Sequence, residues 1–168
     1  EDMRLKIREL LENVEGKGEF NFVTEIAEQL PLWVLCEMMG IPESDRSKIR
    51  DLVNNLTDAS IQQDPNNSFQ IWVNYMELFK MGRDMIEERR KKPTDDLMSV
   101  VANTKVEGGD LPPELLDGFF LLMVIAGNET TRNTLTGGLM ALTENPSERE
   151  KLLKDPSLIS NATDEMLR

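Results

Sequence analysis

The sequence contains no histidine and only one cysteine, and each shortage excludes a class of site. Histidine is the commonest neutral metal ligand, so a zinc or non-haem iron site would have to be built from carboxylates alone. One cysteine, Cys36, cannot form an internal disulfide, which argues against a secreted disulfide scaffold. Long hydrophobic runs are also missing: the longest, Phe119–Ala126, is far shorter than the roughly 20 residues that span a bilayer.

Positive charge is scarce as well. Lysine and arginine number 19 against 31 aspartates and glutamates, which gives a formal net charge of −12. Nucleic acids and anionic membranes both attract basic surfaces, so we expect neither as a partner. No signal peptide is visible, and we expect a cytoplasmic protein with an acidic, soluble surface.

The hydrophobic pattern is helical almost throughout. The 168 residues, 39% of them hydrophobic, suffice for one domain with a core. No strand and no internal repeat stands out, so we predict an all-α fold in a single domain, 1–168. The helical hydrophobic pattern is present from the first residue, Glu1, and continues to the last, Arg168. We therefore interpret the sequence as a partial domain cut at both ends. Helices are predicted over 2–14, 31–39, 43–60, 69–90, 96–102, 114–144 and 147–154, with short ones within 20–29 and after 161.

The longest predicted helix, 114–144, would extend for about 46 Å. Its middle, 119–127, is apolar on all sides and should therefore be buried. Yet the stretch that follows, 126–132, combines glycine, a carboxylate and paired hydroxyls. Glycine costs about 1 kcal/mol relative to alanine in a helix, and a buried unpaired charge costs far more. Residues that disfavour a buried helix, placed in the middle of a clearly predicted one, indicate a functional site.

The helical spacing places these residues on different faces of the helix. Ala126, Gly127 and Thr130 share one face, where small side chains would admit a flat, bulky partner. The Thr130 hydroxyl could bond to the Ala126 carbonyl and open a local bulge, and thus a groove. Glu129 points about 100° away and could link that groove to solvent through water.

Two interpretations of this face stay open on spacing alone. A hydroxyl facing a ligand and an acid facing solvent would form a proton relay, with Glu129 and Thr130 as catalytic residues. Alternatively, Glu129 pairs with Arg132 and the hydroxyls satisfy the backbone. A second feature, Glu165 and Arg168, is an acid and a base three residues apart, which by itself favours a solvated ion pair.

Together, and in this order, the two features resemble the cytochrome P450 family of haem-thiolate monooxygenases, bacterial soluble type. The family's small-Gly-x-acid-Thr segment in a long central helix is matched by 126–130, and its Glu-x-x-Arg pair by Glu165 and Arg168. The segment 30–42 also resembles the part of the family that precedes the substrate-roof helices. The segment 95–99 resembles the short helix that precedes the central helix. The run 126–132 is similar to the subgroup that oxidises steroids and terpenoids.

The resemblance implies a fold, a cofactor and a reaction. The chain would be the central helical part of the P450 fold, and the whole enzyme would insert one oxygen atom from O2 into an apolar substrate such as a steroid or terpenoid. Haem b would lie across Ala126, Gly127 and Thr130, while Glu129 would resupply protons to Thr130. Electrons would come from a ferredoxin-type donor with an NAD(P)H-dependent reductase.

The resemblance also implies supporting roles. Glu165 and Arg168 would be a structural pair beneath the cofactor, and helices 43–60 and 69–90 would roof the substrate pocket. Candidates to line that pocket are Phe69, Trp72 and Val124, although core packing is the common role of such residues.

One departure limits what this chain can do alone. The family's iron-ligating cysteine lies in a later glycine-rich loop, which the sequence does not contain, and Cys36 lies in an apolar helix where a packed free thiol is ordinary. We therefore expect no metal ligand in this chain and an inactive fragment. The alternative is a non-enzymatic helical ligand-binding or interaction module, which leaves Gly127, Glu129 and Thr130 unexplained. A helical carboxylate–metal protein is disfavoured because histidine is absent.

Overall fold

Helices make up most of the computed structural model, which describes residues 2–168. This confirms the predicted all-α class. A π-helix over Val23–Ala27 and 3-10 turns over Pro65–Asn67 and Pro156–Leu158 separate some of the α-helices. The α-helices are α1 (Asp2–Glu12), α2 (Gln29–Met39), α3 (Glu43–Thr57), α4 (Ala59–Gln62), α5 (Ser68–Lys91), α6 (Leu97–Asn103), α7 (Pro113–Glu144), α8 (Pro146–Lys154) and α9 (Ile159–Met166).

A small β-hairpin precedes α7, where the sequence predicts no strand. Strand β1 (Lys105–Val106) pairs antiparallel with β2 (Gly109–Asp110). The turn between them has a positive φ angle of 105° at Gly108, and Gly109, the first residue of β2, has a φ of 132°; glycine adopts both readily. Two-residue strands are too short to show an alternating pattern, and this is why the sequence predicts no strand here.

The predicted helix 43–60 is two helices in the structure. Asp58 has an extended backbone, with φ −70° and ψ 113°, and this ends α3 at Thr57. The Asp58 carboxylate then accepts a hydrogen bond from the Ser60 amide at 2.8 Å and so caps α4. Aspartate is a favoured N-cap, so the break follows from its side-chain chemistry.

The described chain divides into two compact units. One unit is Pro31–Glu129, in which α5 packs against α3 and α6. The other combines the chain up to Leu30 with Thr130–Arg168, and it buries Leu10, Val14, Ile26 and Ala27. The Pro31–Glu129 unit holds the larger core: Leu32, Leu35, Cys36, Met39, Ile41, Ile49, Leu52, Val53, Leu56, Leu78, Ile86, Met98, Ala102, Leu116, Phe120 and Val124.

Helices α5 and α7 approach each other closely inside this unit. A Cβ atom on Gly82 would lie 2.7 Å from Cγ of Phe120, so only glycine fits there without a shift. Next to this contact, Nε of Arg83 donates to both carboxylate oxygens of Asp117, at 2.9 and 3.0 Å. The two contacts fix the register between the helices.

The prediction that 119–127 is buried on all sides is wrong. Phe120 and Val124 have no exposed surface, but Leu122 is 63% exposed, and Ala126 and Gly127 are exposed too. Only one side of α7 packs into the core at this level. No helix within residues 2–168 combines the length and the apolarity that crossing a bilayer would require.

A buried ionic cluster joins the ends of α2, α5 and α6. Arg89 is buried, and its Nε donates to Oδ2 of Asp96 at 2.6 Å while its Nη2 donates to the Gly40 carbonyl at 2.9 Å. Asp96 in turn accepts from the Ser99 amide at 2.6 Å and so caps α6. The hydroxyl of Thr94 donates to the same carboxylate.

Gly40 is required at this cluster for two reasons. Its φ of 68° is a left-handed conformation, which ends α2, and a Cβ atom there would collide with the Asp96 carboxylate. Burial raises the pKa of Asp96, but the hydrogen bonds from Thr94, Ser99 and Arg89 together outweigh burial and hold that pKa below its ordinary value. The carboxylate therefore stays ionised at neutral pH.

The close approach of α5 and α7 predicts opposite effects for two glycine substitutions. Gly82→Ala should lower the free energy of unfolding by about 1–3 kcal/mol, because the new methyl group overlaps Phe120. Gly118→Ala is the matched control on α7, since a Cβ atom there meets nothing within 4 Å. It should raise stability by up to about 1 kcal/mol through helix propensity. Urea unfolding of both variants measures this, and equal effects would contradict the packing.

The ionic cluster predicts a pH-dependent loss of stability in Asp96→Asn. At pH 7 the variant should lose about 3 kcal/mol, because Arg89 loses its buried counter-ion and keeps only the exposed Glu88 as an ionic partner. The lowered pKa of Asp96 means that the carboxylate stabilises the fold above its unfolded pKa of about 3.9, and that this stability is lost as the pH falls through the folded pKa.

The difference between wild type and Asp96→Asn should therefore shrink below about pH 4. Unfolding followed between pH 7 and pH 2.5 tests this. Asp84→Asn is the control, since Asp84 is an exposed aspartate on α5. A difference that stays constant over the whole pH range would show that the Asp96 charge does not stabilise the fold.

Candidate functional site

The centre of α7 presents two different sides. Ala126, Gly127 and Thr130 are exposed, Glu129 is half-buried, and Asn128 has no exposed surface. Successive helical residues are rotated by about 100°, so Asn128 points almost directly away from Ala126 and Thr130. The structure thus brings the three predicted small or hydroxylated residues onto one exposed face.

Gly127 is not required by the packing of this chain. A Cβ atom there would meet only Cδ1 of Leu35, at an ordinary contact distance of 3.5 Å. The fold would accept alanine, which is the better helix former. The open backbone at Gly127 therefore fits a flat group lying against α7, as haem would.

The predicted bulge at this point is wrong. The chain is α-helical throughout Pro113–Glu144. Hydroxyls further along the helix bond to backbone carbonyls within it: Oγ1 of Thr134 donates to the Thr130 carbonyl and Oγ1 of Thr136 to the Arg132 carbonyl, both at 2.9 Å. Such bonds satisfy the threonine hydroxyls within the helix, which stays α-helical here.

Two of the three predicted pocket residues lie on the surface of α5. Phe69 and Trp72 are 73% and 56% exposed, and their rings stack with centroids 6.2 Å apart. Val124 instead belongs to the buried core, so the structure does not make it available to a ligand. Leu122, which is not predicted from the sequence as a site residue, is exposed and lies four residues before Ala126 on the same face.

Cys36 is fully buried in α2. Burial raises the pKa of its thiol to about 11, against a smaller opposing effect of Arg46. A protonated thiol is neither a nucleophile nor a metal ligand at neutral pH. Among residues 2–168 there is also no group of three or more acidic or cysteine side chains placed to hold a metal ion.

Glu165 and Arg168 form the ion pair that their spacing predicts. Nη1 of Arg168 lies 3.5 Å from Oε2 of Glu165, and both side chains are exposed. Between them, Met166 packs against α7: a Cβ atom on Gly138 would lie 2.5 Å from the Met166 sulfur. Gly138 thus allows α9 to approach α7. Glu165 also borders an open groove of about 530 Å³, lined further by Leu142, Leu152, Leu158, Ala162 and Met166.

Several known proteins are similar to this chain in sequence and in the arrangement of their helices. No protein-family model matches the chain. The steroid C26-monooxygenase of Mycobacterium tuberculosis is 38% identical over 164 residues, which are 95% of this chain and 43% of that protein. Cytochrome P450 CYP107DY1 of Priestia megaterium is 32% identical over 172 residues, all of this chain and 42% of that protein.

A solved structure adds the three-dimensional match. The cytochrome P450 PksS of the Bacillus subtilis bacillaene polyketide synthase superposes with a TM-score of 0.90 and 32% identity, over 99% of this chain and 42% of that one. The chain matches a fragment of a bacterial cytochrome P450. It spans less than half of the length of each of these P450 proteins.

The state of Cys36 predicts that the 168-residue chain has an inert thiol. In the native chain at pH 8, a thiol reagent such as DTNB should react at least about tenfold more slowly than in denaturant, because burial keeps the thiol protonated. Haemin added to the same chain should give no thiolate-type band in the reduced carbon-monoxide spectrum. Rapid native labelling, or such a band, would contradict the assignment of Cys36 as a core residue.

Proposed function

We propose that this chain is part of a haem-thiolate monooxygenase, which inserts one oxygen atom from O2 into an apolar organic substrate. The observation that carries the proposal is Gly127, whose open backbone the packing of the chain does not explain. Exposed Ala126 and Thr130 share its side of α7. The matches with bacterial P450 proteins support the same function.

Haem b is the cofactor that this face fits. Ala126 and Gly127 would let the porphyrin lie against the α7 backbone, because neither has a side chain that would hold it away. When bound, haem supplies the redox chemistry that activates dioxygen. The iron ligand would come from outside this sequence, since the thiol of Cys36 is buried and protonated.

The proposed role of Thr130 is proton delivery. Thr130 is exposed on the same side of α7 as Ala126 and Gly127, and there its hydroxyl would donate a hydrogen bond toward the proposed haem site and pass on a proton. Glu129, half-buried and rotated by about 100°, would return a proton to that hydroxyl through water. The alcohol and the acid therefore act in series, each from its own side of the helix.

Glu165 and Arg168 have a structural role in this proposal. They already pair at the C-terminal end of α9, whose Met166 packs on Gly138 of α7. A carboxylate and a guanidinium held side by side can together bind backbone groups of a following loop. Both side chains are exposed in this chain and thus open to such partners.

The substrate class that we propose is a steroid or a terpenoid. One of the similar proteins is a steroid C26-monooxygenase. In this chain, α3 and α5 would roof the pocket, and the stacked rings of Phe69 and Trp72 offer a flat apolar surface. Exposed Leu122 offers a second one on α7. Flat, fused-ring or branched hydrocarbons fit surfaces of this kind.

The proposal extends to the electron donor and to the compartment. A ferredoxin-type protein, reduced by an NAD(P)H-dependent reductase, would supply the electrons. The cytoplasm is the proposed location, where a protein with a single buried thiol needs no disulfide for stability.

The proposed role of Thr130 is tested in the full-length protein by Thr130→Ala. Loss of the hydroxyl should lower the product formed per NAD(P)H by at least about tenfold and raise peroxide release, because proton delivery fails while electrons still arrive. Thr130→Ser should restore coupling. Thr143→Ala, an exposed threonine on the same helix, is the control. Intact coupling in Thr130→Ala, with substrate still bound, would remove Thr130 from the mechanism.

A further inference from the structure

An ion pair between Arg83 and Asp117 links α5 to α7 within the Pro31–Glu129 unit. Nε of Arg83 donates to both carboxylate oxygens of Asp117, at 2.9 and 3.0 Å, and its Nη2 donates to the same carboxylate. Such a bidentate contact fixes an orientation as well as a distance. Asp117 is 8% exposed, and no other cation within residues 2–168 pairs with it. Arg83 therefore compensates a buried carboxylate.

The ion pair lies in the half of α5 that is held by other helices. The residue before it on α5, Gly82, is in close contact with Phe120 of α7. Six residues further along α5, Arg89 donates to Asp96 at the start of α6 and to the Gly40 carbonyl at the end of α2. This half of α5 is thus fixed against three other helices.

The other half of α5 carries exposed aromatic rings. Phe69 and Trp72 are 73% and 56% exposed, and their rings stack on each other. Trp72 precedes Arg83 by 11 residues, which correspond to about 16 Å along a helix, and α5 is α-helical throughout Ser68–Lys91. A tilt of α5 by about 5° at Arg83 would displace the rings by about 1.4 Å. The contacts at Arg83 therefore determine where the rings lie relative to α7.

Helix α3 is connected to this arrangement through α5. The two helices pack against each other, and Nζ of Lys48 on α3 lies 2.5 Å from Oε1 of Glu77 on α5. Both of these side chains are exposed, so their ion pair adds little by itself, and the packing of the helices is the main link. A tilt of α5 on α7 would therefore also involve α3, the other helix of the proposed pocket roof.

We propose that the Arg83–Asp117 ion pair is a positioning contact for the substrate pocket, because it holds α5 on α7 at one fixed angle. This inference rests on the proposed function, in which α5 roofs the pocket. Arg83 does not touch the substrate in this proposal; it acts through Phe69 and Trp72, which do. Errors of about 1 Å in the position of a substrate are costly, so a fixed roof angle favours binding of a bulky substrate.

Hydrogen exchange in the full-length, substrate-free protein tests whether the ion pair holds α5. Arg83→Met removes the guanidinium and keeps a long side chain. Amides of residues 69–79 should exchange at least about fivefold faster than in the wild type, because this half of α5 loses its nearest fixed point on α7. Arg83→Lys should give a smaller acceleration, since lysine keeps the charge but not the bidentate geometry.

Two further variants make the exchange experiment decisive. Asp117→Asn removes the charge from the other partner with little change in shape, and it should match Arg83→Met. Lys80→Met is the control: Lys80 pairs with Asp84 on the same helix at 2.5 Å, so its loss leaves the contact with α7 intact. Unchanged exchange in Arg83→Met or in Asp117→Asn overturns the proposal, and so does an equal acceleration in Lys80→Met.

Two haem ligands of different size test whether the contact positions the pocket roof. Imidazole is small, whereas clotrimazole is an imidazole with bulky aromatic rings, and the visible spectrum of haem reports the Kd of both. Arg83→Met should raise the Kd of clotrimazole at least about fivefold and that of imidazole less than about twofold, because only the larger ligand would reach the roof. Lys80→Met should change neither.

Equal changes in the two Kd values, or an unchanged Kd for clotrimazole, would overturn the positioning role of the ion pair. A full-length wild type that does not bind imidazole would instead contradict the proposed haem cofactor. In that case the hydrogen-exchange rates still decide whether Arg83 and Asp117 hold α5 on α7.

Discussion

The structure depends on the division of one long helix into a packed side and an open side. On α7, Phe120 and Val124 have no exposed surface, while Leu122 is 63% exposed and Ala126 and Thr130 are exposed with it. The helical period of 3.6 residues places the two series on opposite sides. The packed side contacts α5 at Gly82, so the open side belongs to a regular helix that is packed into the core. A site on such an element keeps its geometry better than one on a loop.

Much of this architecture could be predicted, because the signals are local. The α7 boundaries follow from Pro113 at the helix start and from the Asn145–Pro146 pair at its end. Asp96 as the cap of α6 and Gly40 after α2 follow from the chemistry of helix ends. Ala126, Gly127 and Thr130 share a face by spacing alone. The break at Asp58 and the two-residue strands were not predicted, since a single side chain or turn decides them.

Burial was harder to predict than position. Leu122 and Val124 are both apolar and only two residues apart, yet one is exposed and the other is fully buried. The hydropathies of the two side chains are similar, because hydropathy measures only how strongly a side chain avoids water. It does not tell which molecule covers that side chain. The apolar stretch 119–127 therefore predicted a helix buried on all sides. A single sequence does not distinguish an apolar residue that contacts a ligand from one that packs in the core.

The glycines of this chain show how the two cases can be separated once the structure is known. Gly82 and Gly127 both lie within helices, where glycine costs about 1 kcal/mol relative to alanine. At Gly82 the protein itself explains that cost, because Phe120 occupies the space of a side chain. At Gly127 the nearest atom, on Leu35, leaves room for a methyl group, so packing within the chain gives no reason for glycine. A helical glycine that the packing does not require indicates where the atoms of another molecule come close to the backbone.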